Sequence, residues 1–354
     1  MDCQKTQPAT KPGIPRGLKH VPRNAWYVVA GRDELGETLL SRRALGVPLV
    51  LFRTSEGEPI ALFDRCPHRL MPLSLGNRLG DEIQCIYHGI QFDSEGVCTK
   101  IPTQDSIPKK MVVRKYPLVE KGMFTWIWMG DEDKMDPALI PDPGHVPAGY
   151  SNIFHFTHPV RCDFIRMQEN LMDTSHPSFL HAGLFDDGQL ATAPYKYEIE
   201  GNVVRLTRDM GIFVPGPGTA SFWGIEPGTR VHQTSVSETH APSFNNIINT
   251  FTFPDDPTRE PRRVVTFNPV LPGDEGLCYA VMANATSWPV SPSPDFDAFM
   301  RSVLEGDIIA MEAIEPMLDA MGPEDAEVSI RADAPSLGLR QLIASMAAAE
   351  QRTA

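Results

Sequence analysis

The sequence Cys66-Pro67-His68, followed after sixteen residues by Cys85-Ile86-Tyr87-His88, decides the fold of the first part of this chain. Strand-like runs, interrupted by turn residues such as those at 55–58, surround both motifs at 26–30, 47–52 and 60–63. Because rigid strands position the loops between them, we expect both motifs on loops of a small antiparallel β domain.

The two motifs supply two thiolates and two imidazoles, which are ligands for soft or borderline metals. Such a set can hold a [2Fe–2S] cluster in the Rieske arrangement, with both cysteines on one iron and both histidines on the other. Histidine ligands raise the reduction potential by an amount on the order of hundreds of millivolts, so the cluster accepts electrons from an ordinary ferredoxin. A structural zinc site is the alternative, but this spacing is not that of a zinc finger.

Composition and charge exclude several classes of protein. The chain has 354 residues, of which 42% are hydrophobic and 8% aromatic, and these values fit a soluble globular protein with two domains. A formal net charge of −13 argues against nucleic acid as a partner. The longest apolar run, at 123–129, fits a buried strand rather than a membrane span, and no signal peptide is predicted.

The cysteine pattern indicates a cytoplasmic protein. Six cysteines in a chain of this length do not form a disulfide framework. Four of them lie outside the two motifs and are predicted to be free thiols: Cys3, Cys98, Cys162 and Cys278.

The chain changes character after a charged and then proline-rich stretch at 131–144. Beyond this stretch, strand-like segments lie at 153–160 and within 203–290. Helical segments lie at about 163–175 and 294–320. The predicted fold class is α+β, with an antiparallel sheet flanked by helices in the C-terminal part. Three parts are expected: a mobile arm at 1–22, an antiparallel β domain at 23–130, and an α+β domain at 131–354.

A pair of histidines is the first sign of a second metal site. His176 and His181 have four residues between them, and Pro177 is expected to end a helix at about 175–176. A helix end followed by an irregular turn can bring both imidazoles to one point. Taken alone, the pair is more often two ordinary polar histidines than a metal site.

A carboxylate on the later helix would complete this site. One apolar stripe with three- and four-residue steps runs along that helix: Phe296, Met300, Val303, Asp307, Met311 and Ile314. An ionised carboxylate that faces a core is costly unless it is paired or coordinated, so Asp307 is predicted to bind a cation. Two imidazoles and one carboxylate form the facial triad of non-haem Fe(II) oxygenases. The alternatives are that Asp307 faces solvent beside Glu305 and Asp297, or that Glu312 is the ligand.

In these motifs the chain resembles the Rieske non-haem iron oxygenases, and the resemblance extends from Trp26 to the carboxy terminus. The vanillate and dicamba O-demethylase branch is indicated by further features: length, Trp26-Tyr27, Glu305-Gly306-Asp307 before Met311-Glu312-Ala313, and a final helix at Asp333-Ala334. That branch usually has Glu-Asp where this chain has Glu305-Gly306-Asp307.

The resemblance implies a role for each candidate residue. Cys66 and Cys85 would bind one cluster iron, and His68 and His88 the other. The mononuclear iron would be held by His176, His181 and Asp307. Asp173 would connect an iron-binding histidine by hydrogen bonds to the partner subunit's His88, unless it is a surface acid at the end of a helix. Asn170 would lie near the iron.

The resemblance also implies the terminal oxygenase component of a multicomponent monooxygenase, assembled as a homotrimer with its domains head to tail. With O2 as co-substrate, it would hydroxylate an O- or N-alkyl carbon of a small aromatic compound, which is thereby demethylated or dealkylated during its catabolism. Ring cis-dihydroxylation by a dioxygenase is the alternative within the class. A stand-alone Rieske electron carrier is the alternative from another class, and it would leave the second ligand set without a use.

The electron source is expected to be a separate protein. The chain contains neither a plant-type C-x4-C-x2-C ferredoxin motif nor a flavin or nicotinamide fingerprint. A ferredoxin or reductase that draws on NAD(P)H would therefore supply the electrons.

Residues 205–290 are predicted to form the substrate pocket. Aromatic and polar side chains in this range are expected to form its walls: Phe213, Trp223, Asn249, Phe251 and Phe267. The sequence does not rank substrates.

Overall fold

The computed structural model of this protein describes residues 16–142, 149–173, 175–184, 188–290, 293–320 and 327–353. Within these ranges, the strands that precede residue 130 form three small antiparallel sheets, and those that follow residue 150 form one sheet of eight strands. The predicted α+β class is confirmed. The domain boundaries at 22/23 and 130/131 stay predictions.

The N-terminal unit consists of short strands that pair in the orders β1-β10-β9, β2-β3-β4 and β5-β6-β7-β8. Their bounds are β1 Trp26–Gly31, β2 Leu40–Ala44, β3 Val47–Arg53, β4 Pro59–Phe63, β5 Asn77–Leu79, β6 Glu82–Gln84, β7 Gln91–Phe92, β8 Cys98–Lys100, β9 Leu118–Lys121 and β10 Phe124–Trp128. Cys66 follows β4 and Cys85 follows β6, so both motifs lie on loops between strands, as predicted.

The C-terminal unit has a large sheet in the order β11-β18-β16-β15-β14-β13-β12, with β17 paired to β18. Its strands are β11 Ser151–Val160, β12 Tyr195–Glu200, β13 Val203–Phe213, β14 Val231–His240, β15 Phe244–Thr252, β16 Arg262–Phe267, β17 Val270–Pro272 and β18 Cys278–Thr286. Its helices are α1 Phe164–Met172, α2 Pro177–Leu180, α3 Gln189–Thr192, α4 Pro217–Phe222, α5 Pro294–Ala320 and α6 Ala334–Thr353.

Side chains along each strand of the large sheet alternate between its two faces. Phe244, Ile248 and Phe267 pack with tryptophans of β1 and β10 in one apolar cluster, which joins the two units. Every residue of β1 and β10 is buried, because the alternate side chains, such as Tyr27 and Ile127, belong to a second core cluster. The adjacent residues Ile247 and Thr266 point to the opposite face, where they line a cavity. The sheet is therefore a wall between the N-terminal unit and that cavity.

The first helix ends earlier than expected. It is predicted to reach about residue 175, but α1 ends at Met172, and Asp173 has extended backbone with ψ of 110°. The Asp173 carboxylate accepts hydrogen bonds from both the N–H and the hydroxyl of Ser175, each at 2.7 Å. Such local bonds compete with helix continuation. Pro177 does not end α1 but is the first residue of α2, a position that suits proline.

The described part of the predicted arm is packed against the body of the protein. Gly17 donates its N–H to Asp163 at 2.6 Å, Arg16 pairs with Glu315, and Val21 is 4% exposed. The prediction of mobility is therefore wrong for residues 16–22, while residues 1–15, including Cys3, lie outside the described residues. In the described ranges, no helix is long and apolar enough to cross a bilayer.

Candidate metal centres and substrate cavity

Two loops with the same backbone geometry carry the four predicted cluster ligands. In each loop the cysteine N–H donates to the carbonyl five residues later, and its own carbonyl accepts from the N–H four residues later. The partners are Met71 and Leu70 for Cys66, and Ile90 and Gly89 for Cys85. The fourth residue after each cysteine has positive φ, 64° at Leu70 and 70° at Gly89. The two motifs are thus presented by matching turns.

The thiols lie at the base of these loops and the imidazoles at the surface. Cys66 and Cys85 are each 1% exposed. His68 and His88 are exposed, with their ring centroids 4.5 Å apart. Burial, together with the neighbouring Cys85 thiol, raises the pKa of Cys66 to about 11. Two adjacent buried thiols become thiolates most readily beside a cation, so the donor set fits a Rieske cluster.

Three side chains of the C-terminal unit converge as a second ligand set. The candidate ligand atoms of His176, His181 and Asp307 all lie within 4.8 Å of one another. Each imidazole Nε2 is 3.3 Å from the same carboxylate oxygen, Oδ1 of Asp307. His176 and His181 stand at the two ends of α2, and α5 supplies the carboxylate. The structure therefore brings together the three residues that the sequence analysis selected.

The phase of α5 agrees with the predicted stripe. Met300, Val303, Asp307 and Met311 are buried, although Ile314 at the end of the stripe is 36% exposed. Asp307 itself is 5% exposed, so the alternative of a solvent-facing Asp307 is wrong. Glu305 and Glu312 are both exposed, and Glu312 accepts a hydrogen bond from the Arg161 N–H at 3.0 Å. Asp307 is thus the carboxylate of this ligand set.

The charges at this point favour a cation. Burial lowers the pKa of His176, but the carboxylates of Asp173 and Asp307 outweigh burial and raise that pKa to about 9. Burial raises the pKa of Asp307, but both imidazoles outweigh it and hold the pKa of this carboxyl well below its usual range. A buried carboxylate surrounded by nitrogen donors is a suitable site for a divalent metal.

Asn170 and Asp173 lie beside the ligand set without belonging to it. The Asn170 side-chain amide donates to Oδ1 of Asp307 at 2.8 Å, so it orients the carboxylate. Oδ2 of Asp173 is 3.8 Å from Nδ1 of His176, on the side of the ring away from Asp307. This separation is longer than a hydrogen bond. If the two atoms came within hydrogen-bond distance, the carboxylate would orient the imidazole and fix its tautomer.

Gly306 is a residue of the site that the sequence analysis did not select. A Cβ atom on Gly306 would lie 3.0 Å from both Cε1 and Nδ1 of His181, which is closer than ordinary van der Waals contact. The absence of a side chain at this position leaves room for the His181 ring against α5. The signal in the sequence was the glycine itself, which replaces the acidic residue expected before Asp307.

The ligand set lies at the wall of a cavity of about 110 Å³ between the large sheet and α5. Its apolar lining residues are Leu171, Pro177, Leu190, Phe222, Trp223, Ile247, Met282, Met300 and Val303. Its uncharged polar lining residues are Gln233, Ser235, Ser237, Asn249, Thr266 and Asn268. Gln233, Ser235 and Ser237 stand two apart on β14, and Thr266 and Asn268 stand two apart at the end of β16, so a period of two was the signal for them.

The predicted walls of the pocket are right in part. Trp223 and Asn249 line the cavity, whereas Phe213, Phe251 and Phe267 are not among its lining residues. Phe267 faces the N-terminal unit because it follows the cavity residue Thr266. Phe251 lies on the cavity side of β15, but Trp223 covers it with a ring-centroid distance of 5.3 Å.

Comparisons with known proteins identify both units. Residues 25–117 match the model of the Rieske [2Fe–2S] domain, and residues 160–349 match that of the vanillate O-demethylase oxygenase C-terminal domain. The oxygenase component of dicamba O-demethylase from Stenotrophomonas maltophilia is 42% identical over 161 residues, 45% of this chain and 47% of that protein. The oxygenase component of chloroacetanilide N-alkylformylase from Rhizorhabdus wittichii is 37% identical over 191 residues, 52% of this chain and 53% of that protein.

The chain therefore spans about half the length of the curated relatives that it matches. Matches to solved structures cover a larger share of this chain than the matches to these relatives do. Dicamba monooxygenase bound to 3,6-dichlorosalicylic acid superposes with a TM-score of 0.83 at 26% identity, over 95% of this chain and 99% of that one. A crystal structure of that enzyme with non-haem iron and dicamba gives a TM-score of 0.78 at 26% identity, over 94% and 99% of the two chains.

Proposed function

Since the chain belongs to the vanillate O-demethylase oxygenase family and carries a Rieske [2Fe–2S] domain, we propose that it is the terminal oxygenase component of a multicomponent monooxygenase. Its substrate is a small aromatic compound whose O- or N-alkyl carbon is hydroxylated and then lost, as a step in aromatic catabolism. The convergence of His176, His181 and Asp307 at the wall of a largely apolar cavity carries this proposal. The relatives named as an O-demethylase and an N-alkylformylase support dealkylation.

The cofactors are a Rieske [2Fe–2S] cluster and a mononuclear non-haem iron, with O2 as the co-substrate. We assign the cluster to Cys66, His68, Cys85 and His88, and the mononuclear iron to His176, His181 and Asp307. The iron, when bound, supplies the activation of O2, which no amino-acid side chain provides. The three protein ligands leave open positions, as the chemistry of such iron sites requires.

The proposed reaction inserts one oxygen atom of O2 into a C–H bond of the alkyl carbon next to oxygen or nitrogen. The other oxygen atom leaves as water, which takes up two electrons and two protons. The resulting hemiacetal or hemiaminal breaks its C–O or C–N bond and releases formaldehyde when the alkyl group is methyl. Met282, Met300 and Val303 form apolar lining that holds the alkyl group near the ligands and excludes water.

The electrons come from a separate ferredoxin or reductase that uses NAD(P)H. Relatives named as oxygenase components support this division of labour. We place the protein in the cytoplasm, where NAD(P)H is available. Its described cysteines outside the cluster motifs, Cys98, Cys162 and Cys278, are free thiols, in accord with that location.

We further propose a homotrimer in which the Rieske loops of one subunit approach Asp173 of the next. Asp173 lines the cavity on one side and an open groove on the other, where Met311 and Ile314 are also lining residues. His88 is exposed beside Tyr87, which is 61% exposed, and Ile86, which is 49% exposed. An apolar rim around an exposed ligand suits a docked partner. Asp173 would then connect His176 to the partner subunit's His88.

Iron content, colour and product together test the function. Protein purified in air is expected to be red-brown with three irons per subunit, two in the cluster and one mononuclear. With a surrogate reductase, methoxy- or N-methylarenes are expected to stimulate NADH oxidation and to release formaldehyde. A diol without formaldehyde would favour ring dioxygenation. Colour without O2 consumption, and only the two cluster irons, would favour the electron carrier.

The variant His176→Ala separates these outcomes further. It is expected to keep the colour of the cluster and to lose substrate-dependent O2 consumption. Normal turnover by this variant would contradict the assignment of the mononuclear site.

A further inference from the structure

The cavity contains a second constellation besides the iron ligands, a pair of buried amides. Nε2 of Gln233 donates to Oδ1 of Asn249 at 2.9 Å, and each residue is 7% exposed. Gln233 lies opposite Phe251 and Asn249 opposite Ser235 in the β14–β15 ladder, so the two amides meet diagonally across the strands. Both residues line the cavity.

The pair leaves one hydrogen-bond donor and one acceptor for a ligand. Within the described part of the chain, neither side chain has another hydrogen-bond partner, so Nδ2 of Asn249 and Oε1 of Gln233 are unpaired. If the side-chain amides of Gln233 and Asn249 are both rotated by about 180°, so that oxygen and nitrogen exchange places, Asn249 becomes the donor and Gln233 the acceptor of the bond between them. One N–H group and one carbonyl then still remain. The pair therefore offers a donor and an acceptor side by side, whichever way the amides are oriented.

The wall around the pair, as far as the structure describes it, is polar and offers neither lysine nor arginine for an anion. Ser235 and Ser237 lie on the same face of β14 as Gln233, and Oγ of Ser237 is buried without a partner. Neither lysine nor arginine is among the described residues that line the cavity, and the carboxylates there are Asp173 and Asp307. An anionic group bound by the amides would lose its water in contact with uncharged side chains, because the charged residues that line the cavity, Asp173, His176 and Asp307, belong to the ligand set or adjoin it.

We propose that Gln233 and Asn249 position the substrate through an uncharged group that both donates and accepts a hydrogen bond, of which a carboxamide is the type. The inference rests on the proposed function and specifies its substrate class as neutral aryl amides rather than arenecarboxylates or arenesulfonates. A carboxamide satisfies both free groups of the pair. A carboxylate can accept from the free N–H, but it sets a second acceptor against the free carbonyl.

Two probes of nearly equal shape test this preference: 3-methoxybenzamide and 3-methoxybenzoate. Their dissociation constants are measured by calorimetry on the oxidised holoenzyme without a reductase, so that no turnover occurs. The amide is expected to bind about tenfold more tightly or better, because each additional satisfied hydrogen bond contributes a factor of roughly two to ten. Equal or tighter binding of the benzoate, or no measurable binding of the amide, overturns the proposal.

Variants show whether the pair causes the preference. In Gln233→Leu combined with Asn249→Leu, the ratio of the two constants is expected to fall towards one. Gln233→Lys adds a cation and is expected to reverse the preference, and this single change serves if the double variant does not fold. Thr234 and Thr250 form a directly opposed pair on the other face of the same strands. Thr234→Val combined with Thr250→Val is therefore the control and is expected to leave the ratio unchanged.

Three results for the variants would overturn the inference. The first two are an unchanged ratio of the two dissociation constants in the folded double leucine variant or in Gln233→Lys. The third is a change of this ratio in the threonine control that is as large as the change in the double leucine variant. Circular dichroism and the cluster spectrum establish folding in each case.

A separate readout distinguishes failure of the inference from failure of the proposed function. Formaldehyde from either probe, with no preference for the amide, retains dealkylation and rejects the amide site. Preferential binding of the amide, with no formaldehyde from any methoxyarene in the fully loaded enzyme, retains the amide site and rejects dealkylation.

Discussion

The two candidate metal centres of this protein are built in opposite ways. The cluster ligands lie within residues 66–88, on two loops with matching hydrogen bonds. The mononuclear site combines the turn after α1 with Asp307, which follows more than a hundred residues later on α5. Its ligands His181 and Asp307 are 2% and 5% exposed, whereas both cluster histidines are exposed.

The difference in burial corresponds to a difference in task. A group that exchanges electrons with another protein must be reached from outside, and the proposed cluster ligands His68 and His88 are exposed. A group that activates O2 next to a substrate works best where water is excluded. Asp173 lies between the two environments, since it lines both the substrate cavity and the groove that contains Met311 and Ile314. The comparison makes separate predictions for each centre and for the connection between them.

Loss of a cluster thiolate is expected to have the largest effect. Cys85→Ala should remove the visible chromophore, two irons per subunit and all turnover, while the site around His176 still binds one iron. The absorption spectrum and the iron content measure this outcome. Cys98, a buried thiol of the same core cluster that is 4% exposed, is the matched control, and Cys98→Ala should keep the colour. A colourless Cys98→Ala, or a coloured Cys85→Ala, would contradict the ligand assignment.

Loss of the buried carboxylate is expected to give the converse pattern. Asp307→Ala should keep the chromophore and lose the third iron, and O2-dependent turnover should fall by more than about 100-fold, the upper end of losses seen for residues behind metal ligands. Asp295→Ala is the control because Asp295 is exposed on the same helix. If Asp307→Ala retained three irons, the assignment of Asp307 as a ligand of the mononuclear iron would be wrong.

The parts of the molecule that depend on local pattern were predicted well. The spacing of Cys66 and Cys85 placed the cluster loops between strands, and the stripe on α5 placed Asp307 on its buried face. Both predictions rest on periodicities of a single strand or helix, which the backbone imposes. The end of α1 was predicted three residues too late because the Asp173 side chain bonds Ser175 and replaces the next helical turn.

The parts that depend on how elements meet were not predicted. The amide pair requires Gln233 and Asn249 to face each other across β14 and β15, and the register of two strands is absent from either sequence alone. Phe267 was expected in the pocket because it is aromatic, but its position next to Thr266 turns it to the other face of the sheet. The role of Gly306 requires the packing of α5 against the His181 ring.

Substitution of Asp173, the proposed connection between the two centres, is expected to reduce turnover by an intermediate amount. Asp173→Asn keeps the size of the side chain and removes its charge, so both metal centres should remain while turnover falls by about 10- to 100-fold. Stopped-flow absorption should show that the reduced cluster is reoxidised more slowly when substrate and O2 are added. Ser175→Ala removes one of two hydrogen bonds to Asp173 and should have a smaller effect. Unchanged reoxidation in Asp173→Asn would separate this carboxylate from electron transfer.

The smallest effect is expected from Gly306→Ala. This change should stabilise the fold slightly and weaken the binding of iron. Alanine in a helix interior is more stable than glycine by roughly 0.5–1 kcal/mol, so the iron-free protein should unfold at an equal or higher denaturant concentration. The new Cβ would lie 3.0 Å from the His181 ring, so the ring must shift and iron should bind a few-fold more weakly. Denaturant titration and iron titration measure the two effects. Glu305→Ala, at the exposed neighbouring position, should change neither by a comparable amount.

Gly89 provides the corresponding test in the cluster loops. Its φ of 70° is strained for any side chain, so Gly89→Ala should destabilise the loop through the backbone itself. The protein should therefore unfold at a lower denaturant concentration, in contrast to Gly306→Ala. If both alanine variants instead shifted unfolding in the same direction, the contrast between a centre built on local turns and one built on packing between elements would be wrong.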